Sequence, residues 1–310
     1  PAPPITRDRF NRPLVIPPGG GKAIPYTRAT TYIDVLEDKF NLQQWEKRMV
    51  ALGLADRPDL MLSIAAHRDD KKTLNRICDD AKEAAKGHAA ATTGTALHAL
   101  TETLDRGQPL PVLPATASAS IGAYAEATKD LKATHIEQFC VLDTYQIGGT
   151  PDRIVRHNGE RFILDLKTGA SIEYGILKIA MQLAVYARSY AYDTATAERT
   201  IHEASTQRGI IAHLPAVEDP ADAHCTLWWV DLEAGWYAVQ VARQVREKRA
   251  LRFTDLAEPF NPPAPPAQLS DLIRACTTPD AVRTLWAAHE SAWTDELTAA
   301  AREHIASLPA

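Results

Sequence analysis

The chain has 310 residues, 45% of them hydrophobic and 24% charged, with a net charge of -5 at pH 7. That balance is ordinary for a globular protein and excludes a fibrous or disordered chain, while the length suits one large domain or one domain with an appendage. The acidic sum excludes a protein that coats nucleic acid by bulk charge, yet it permits a local basic groove along a phosphate track.

Residues 1–29 are rich in proline and contain Pro17-Pro18-Gly19-Gly20-Gly21-Lys22, which reads as an extended or mobile arm. It is not a phosphate loop, because Ala23 stands where Ser or Thr is required and no apolar strand precedes it; Lys22 and Arg28 are left as candidate phosphate contacts. Beyond it Asn41 is a good N-cap for a helix whose stripe is Leu42, Trp45, Met49 and Leu52 and whose end is Gly53. Further helices are expected over 58–67 and 69–88, the latter with Leu74, Ile77, Cys78 and Ala81 on one face. A helix starting near Thr93 carries His98 and Glu102 at i and i+4, one turn apart on one face. Alone, that pair would be read as solvated.

A Pro-rich loop over 108–114 leads to an Ala-rich helix over 118–133. Strands follow at 136–142, 145–148, 153–157 and 161–166; Glu137 reads as an ordinary strand residue and receives no catalytic role. The last two strands flank His157-Asn158-Gly159-Glu160, a strong hairpin signal. Asp152 opens the first of them. Asp165 and Lys167 sit two apart on the second, so they share a face. Ile154, Val155, Ile163, Leu164 and Leu166 around them are apolar, which brings two carboxylates and an ammonium to the margin of a buried sheet, where a divalent cation would offset the cost of unpaired charge.

A helix is then expected over 173–192, with Ile176, Ile179, Leu183, Tyr186 and Tyr190 on its apolar face. Strands over 209–213 and 226–232 come next, with Trp228 and Trp229 on opposite faces, one of them core. A helix over 234–252 holds the densest basic run, Arg243, Arg246, Lys248, Arg249 and Arg252; a solvated face is favoured over a phosphate-contacting wall. Residues 257–268 form a Pro-rich linker, and 269–310 a small helical appendage in which Trp286 and Trp293 share one stripe. The four cysteines, Cys78, Cys140, Cys225 and Cys276, form no C-x-x-C and read as reduced thiols. No apolar run could cross a bilayer, and there is no basic-then-apolar leader, so a cytoplasmic protein without a membrane partner is expected.

The P-D followed by D-x-K, Pro151-Asp152 and Asp165-Leu166-Lys167, resembles the signature of the PD-(D/E)xK nuclease superfamily. Gly94 to Glu102 resembles the G-x-x-x-H-x-x-x-E motif of its RecB-type branch, and Gln182 to Tyr186 resembles that branch's Q-x-x-x-Y. The resemblance implies an α/β (α+β) fold with a mixed central sheet flanked by helices, here with a helical N-terminal part within 30–256. It implies Mg2+ or Mn2+ held by His98, Asp152, Asp165 and the Leu166 carbonyl, with Lys167 orienting or activating the nucleophile. Glu102 would approach a second metal, act through water or orient its neighbours. Gln182, Tyr186 and Thr168 would contact DNA, or the Gln-Tyr pair would support the catalytic strand. Some relatives hold an iron-sulfur cluster on a closely spaced cysteine group; this chain lacks that group, so no cluster is expected. A zinc site on His88 and His98 fails on spacing and on missing cysteine ligands.

The activity implied is an exonuclease on linear double-stranded DNA in recombination or repair, with a structure-selective or site-specific endonuclease as runner-up. A non-catalytic DNA-end-binding protein is the rival from another class, disfavoured because His98, Asp152, Asp165 and Lys167 are all present. No helicase motif accompanies them. Unwinding would need another chain or a ring-shaped homo-oligomer, and a single-strand-annealing or replication protein is the natural companion. Similar tails occur on phage-encoded nucleases of this branch, which suggests a bacteriophage origin.

Overall fold

The computed structural model describes residues 4–85, 89–260 and 268–308. His88 and linker residues 261–267 lie outside them. The chain divides into two compact units, Pro1–Ala250 and Leu251–Ala310.

The first unit opens with β1 (Leu14–Val15), β2 (Ile24–Pro25) and β3 (Thr27–Arg28), followed by α1 (Ala29–Ile33), α2 (Phe40–Asp56), α3 (Pro58–Ala66) and α4 (Lys71–Ala84). Then come α5 (Ala89–Asp105), α6 (Ala115–Thr128), β4 (Lys132–Ile136), β5 (Cys140–Leu142), β6 (Ile147–Gly149), β7 (Arg153–His157) and β8 (Glu160–Lys167). The unit closes with α7 (Ile176–Ala187), β9 (Tyr190–Tyr192), β10 (Arg199–Thr200), β11 (Arg208–His213), β12 (Thr226–Asp231) and α8 (Leu232–Arg249).

Two mixed sheets are flanked by these helices. One runs β12-β11-β8-β7-β4, with β8 and β11 parallel and the other pairs antiparallel. The other runs β10-β9-β5-β6-β3, with β3 and β6 parallel. The β7-β8 hairpin forms as its turn chemistry dictates, Asn158 and Gly159 taking φ of 49° and 88°, the positive values that an Asn-Gly turn tolerates. Because strand side chains alternate, Ile154, Ile163 and Ile211 pack against α7 and α8. Phe162, Leu164 and Leu166 pack on the other face, against Leu97 of α5 and Ile121 and Tyr124 of α6. The central hairpin is therefore covered on both faces, which is why its sequence is apolar almost without interruption.

Several expectations are corrected. The strand expected over 136–142 is split between the two sheets, because Glu137 turns the chain at φ 53°. Residues of the N-terminal arm do not hang free: Val15 and Tyr26 are buried against Phe139, Val141 and Tyr192. Arg199 adds a tie, donating to both Asp143 oxygens at 2.8 and 2.9 Å and to the Ile16 carbonyl at 2.7 Å. Gly53 does not end α2. It is the close-packing point with α4, where a Cβ would fall 1.7 Å from the Ala81 carbonyl oxygen, and the stripe residues Leu42 and Leu52 are exposed instead. The long helix over 173–192 stops at Ala187, and Tyr190 belongs to β9, which pairs with β5. Trp228 and Trp229 are both about half exposed, since β12 is an edge strand covered on neither face as fully as β8.

The second unit contains α9 (Phe253–Leu256), α10 (Leu269–Ala275), α11 (Pro279–Ala288) and α12 (Asp295–Ser307), packed around Ile273, Val282 and Ala301. Trp286 lies on α11, whereas Trp293 follows a separate 3-10 turn and packs on that core; the single stripe does not form. Among the described residues the cysteines are free thiols, and no helix is long and apolar enough to cross a membrane.

Candidate functional site

The site lies where the C-terminal end of β8 meets the start of β7, the helix α5 and the middle of α7. Gly94 allows α5 to approach the strand end, since a Cβ there would come within 2.5 Å of Thr168 Oγ1. One turn later His98 Nδ1 lies 3.5 Å from Asp152 Oδ2. That same Asp152 oxygen accepts a hydrogen bond from the Leu166 N–H at 2.7 Å, so the carboxylate bridges the two strands of the hairpin. On the neighbouring position Asp165 is buried, and Lys167 Nζ lies 2.5 Å from its Oδ2. That ammonium is the sole partner of Oδ2 among the described residues.

Asp165 is supported from behind. Gln182 Nε2 donates toward Asp165 Oδ1 at 3.5 Å and toward the Tyr186 hydroxyl at 3.4 Å. Tyr186 is itself buried and needs the glycine at 149, where a Cβ would fall 2.7 Å from its ring and 2.9 Å from its hydroxyl. The pair thus stands behind the strand that carries Asp165, with the Tyr186 ring buried. Thr168 is half-buried and faces Gly94. Glu102, a turn beyond His98, is held by Arg106 at 2.8 Å; its charge still reaches the site, since it pushes up both Asp152 and Glu137.

The electrostatics follow from burial. Asp165 is pushed up to about 6, first by burial and then by the Asp152 charge, against the pull of Lys167. Asp152 is also raised by burial, opposed by the Leu166 N–H. Burial lowers His98, so its imidazole is neutral at pH 7 and able to donate a lone pair.

Two neighbours were not assigned a role from sequence. Arg153 is 3% exposed, donates through Nε to Asp105 Oδ2 at 2.5 Å and through Nη1 to the Asp152 carbonyl at 2.8 Å. Tyr124 completes the network by donating to Asp105 at 2.8 Å. The guanidinium thereby ties α5 and α6 to the strand that carries Asp152. A charged residue directly before the apolar pair Ile154-Val155 was the available signal. Glu137, in its left-handed conformation, donates its backbone N–H to the Asp152 carbonyl at 3.0 Å. Burial and the charges of Asp152 and Glu102 push its carboxyl up to about 7. Nothing local in the sequence marks that turn.

Among the described residues, no three His, Cys, Asp or Glu side chains meet at metal-ligand distances. The donors do fit a hard divalent cation chemically. A neutral imidazole, two carboxylates and a backbone carbonyl form an oxygen-rich N/O set, and the buried Oδ2 of Asp165, with no partner but the Lys167 ammonium, is the kind of oxygen that a cation satisfies.

No curated protein matches the chain. The family model of the PD-(D/E)XK nuclease superfamily matches residues 110–276, a span that takes in Asp152, Asp165, Lys167, Gln182 and Tyr186 and begins just after α5. With more than half of its length matched, and with these acids and the lysine gathered at one end of a mixed sheet flanked by helices, the chain belongs to the PD-(D/E)XK nuclease superfamily.

Proposed function

We propose that the protein is a divalent-metal-dependent DNA exonuclease of the RecB type, acting on linear duplex DNA in recombination or repair. The observation that carries this reading is the convergence of His98, Asp152, Asp165 and Lys167. The RecB-type assignment is supported by the two flanking helices: α5 brings His98 to Asp152, and α7 brings Gln182 to Asp165.

His98, Asp152, Asp165 and the Leu166 carbonyl would hold Mg2+ or Mn2+. Bound there, the ion would lower the pKa of a water molecule and stabilise negative charge on the phosphate undergoing hydrolysis. The chain's own groups supply the remaining work. Asp152 is held in place through the Leu166 N–H, and Asp165 through Gln182 and, behind it, Tyr186. His98 contributes a neutral nitrogen, kept so by burial. Lys167 adds positive charge beside the reacting phosphate and orients the nucleophile; an electrostatic donor of this kind contributes roughly 100-fold or more to the rate. Glu102, restrained by Arg106, acts on the acids next to it through charge.

End-labelled linear duplex and closed circular duplex, incubated with Mg2+ and then with Mn2+, test the mode of cutting. Loss of label from linear DNA with intact circles is the expected result, and the end that is lost first gives the polarity. Cleavage of circles would replace the exonuclease with an endonuclease.

A further inference from the structure

The basic run on α8 does not form a simple solvated face. Arg246 stacks over Tyr32 of α1 with its guanidinium carbon 4.6 Å from the ring centre. Tyr32 stacks on Tyr145 at 6.1 Å and 22°, Arg243 lies 5.0 Å over Tyr145, and Tyr145 stacks on Trp236 at 5.4 Å and 15°. Arg188, at the end of α7, caps the row 4.9 Å above Trp236. Three guanidinium groups and three rings therefore form one row, in which Tyr32 is buried and Tyr145 and Trp236 are half-buried.

A guanidinium lying flat on a ring has lost much of its side-chain freedom while the stacking itself uses none of its N–H donors, which suits bidentate contact with phosphate oxygens. The nearby acids are largely committed to other cations. Asp143 is held by Arg199, and Asp34 and Glu37 are held by Lys178 and Lys39. Glu247 takes only the Nε of Arg243. Arg246 and Arg249 have no carboxylate at ion-pair distance among the described residues. Arg243 and Arg246 are three apart and so share a face of α8; cations repeated along a row match a repeating polyanion better than a single phosphate.

The row is linked to the acids through α7 and α1. Lys178 is one helical turn before Gln182, the residue that reaches Asp165, and it donates to Asp34 at 2.9 Å and to Glu37 at 2.6 Å. Asp34 directly follows α1, which carries Tyr32, while Ala29 at the start of α1 sits against Gly149. The geometry points to the Arg188-Trp236-Tyr145-Arg243-Tyr32-Arg246 row as a track for the phosphate backbone of DNA leading to or from the Asp152-Asp165 site. This rests on the reading of that site as a DNA nuclease.

The test is binding of fluorescently labelled single-stranded and duplex oligonucleotides over a range of salt concentrations, with Mg2+ present and Lys167→Ala as the background to prevent digestion. R243Q/R246Q removes two cations from the row; R48Q/R76Q, on exposed positions of α2 and α4, removes the same net charge elsewhere. If the row tracks phosphates, R243Q/R246Q makes the dependence of log affinity on log salt shallower by about 1.4 to 1.8, at roughly 0.7 to 0.9 per phosphate contact, for at least one of the two DNAs. R48Q/R76Q leaves it unchanged. R243K/R246K, which keeps the charge, retains the slope and guards against a folding defect in the glutamine variant. DNA bound with equal slopes by parent and R243Q/R246Q, or equal losses in both glutamine pairs, would overturn the track alone. Absence of any binding by the parent would overturn the DNA reading together with it.

Discussion

Arg153 offers the sharpest quantitative test of how the site is held. Its guanidinium is almost fully buried and is shared between the Asp105 carboxylate at 2.5 Å and the Asp152 carbonyl at 2.8 Å. Replacing it with methionine keeps most of the volume but leaves Asp105, itself only 16% exposed, with the Tyr124 hydroxyl as a neutral donor. Removal of one partner from a buried ion pair costs about 3–5 kcal/mol. For a unit of this size, at about 2–4 °C per kcal/mol, the melting temperature should fall by about 6–20 °C. Removing the stranded charge as well, in Arg153→Met/Asp105→Leu, should recover much of the loss, and adding Tyr124→Phe should recover more by removing an orphaned hydroxyl worth about 1–3 kcal/mol. Equilibrium urea unfolding of the wild type, both single variants and the double variant gives the coupling energy directly. A loss below about 1 kcal/mol in Arg153→Met, the range of an exposed pair, would refute the view that this network clamps α5 to the strand of Asp152.

Three further outcomes follow from the same geometry. Asp165 holds its proton to about pH 6 in the folded chain and to about 3.9 when unfolded, so its contribution to stability is largest in acid and is lost as pH rises through 6. Metal-free Asp165→Asn should therefore melt higher than wild type at pH 7.5, with a flatter pH profile; an equal or lower melting temperature at that pH would contradict the burial argument. Mg2+ or Mn2+ should stabilise the wild type, by about 2.7 kcal/mol at a concentration 100 times the dissociation constant, and should leave Asp165→Asn unmoved in the same thermal melts. Gly149→Ala pushes a methyl group into the Tyr186 ring; overpacking of about 1–3 kcal/mol is expected, with a larger fall in nuclease rate than in DNA affinity, and normal stability would show that Tyr186 has room to move.

The local parts of the site were legible because they depend on short-range rules. Asn158-Gly159 fixes the hairpin, the two-residue period puts Asp165 beside Lys167, and the four-residue period puts His98 on the same face as Glu102 and Gln182 on the same face as Tyr186. What sequence did not reveal depends on long-range packing. The left-handed turn at Glu137 has no glycine or asparagine to announce it, and it decides that β4 and β5 enter different sheets. The end of α7 is set by pairing of Tyr190 and Ala191 with β5 rather than by a helix-breaking residue. Gly53 looked like a terminator because its true role, close contact with Ala81, involves a helix over twenty residues away. Arg153 was passed over because an arginine on a strand gives no local sign of whether it is buried, and its partner Asp105 is 48 residues distant.

The central claim is that Asp152, Asp165 and Lys167 form a metal-dependent phosphodiester-cleaving site. Its most direct test is digestion of end-labelled linear duplex DNA by the wild type and by Lys167→Ala, each with Mg2+, with Mn2+ and with EDTA. The account predicts digestion by the wild type with a divalent metal, none in EDTA, and a loss of roughly 100-fold or more in Lys167→Ala, which stays folded and still binds DNA. Digestion that persists in EDTA, or a folded Lys167→Ala that cuts at the wild-type rate, would contradict it.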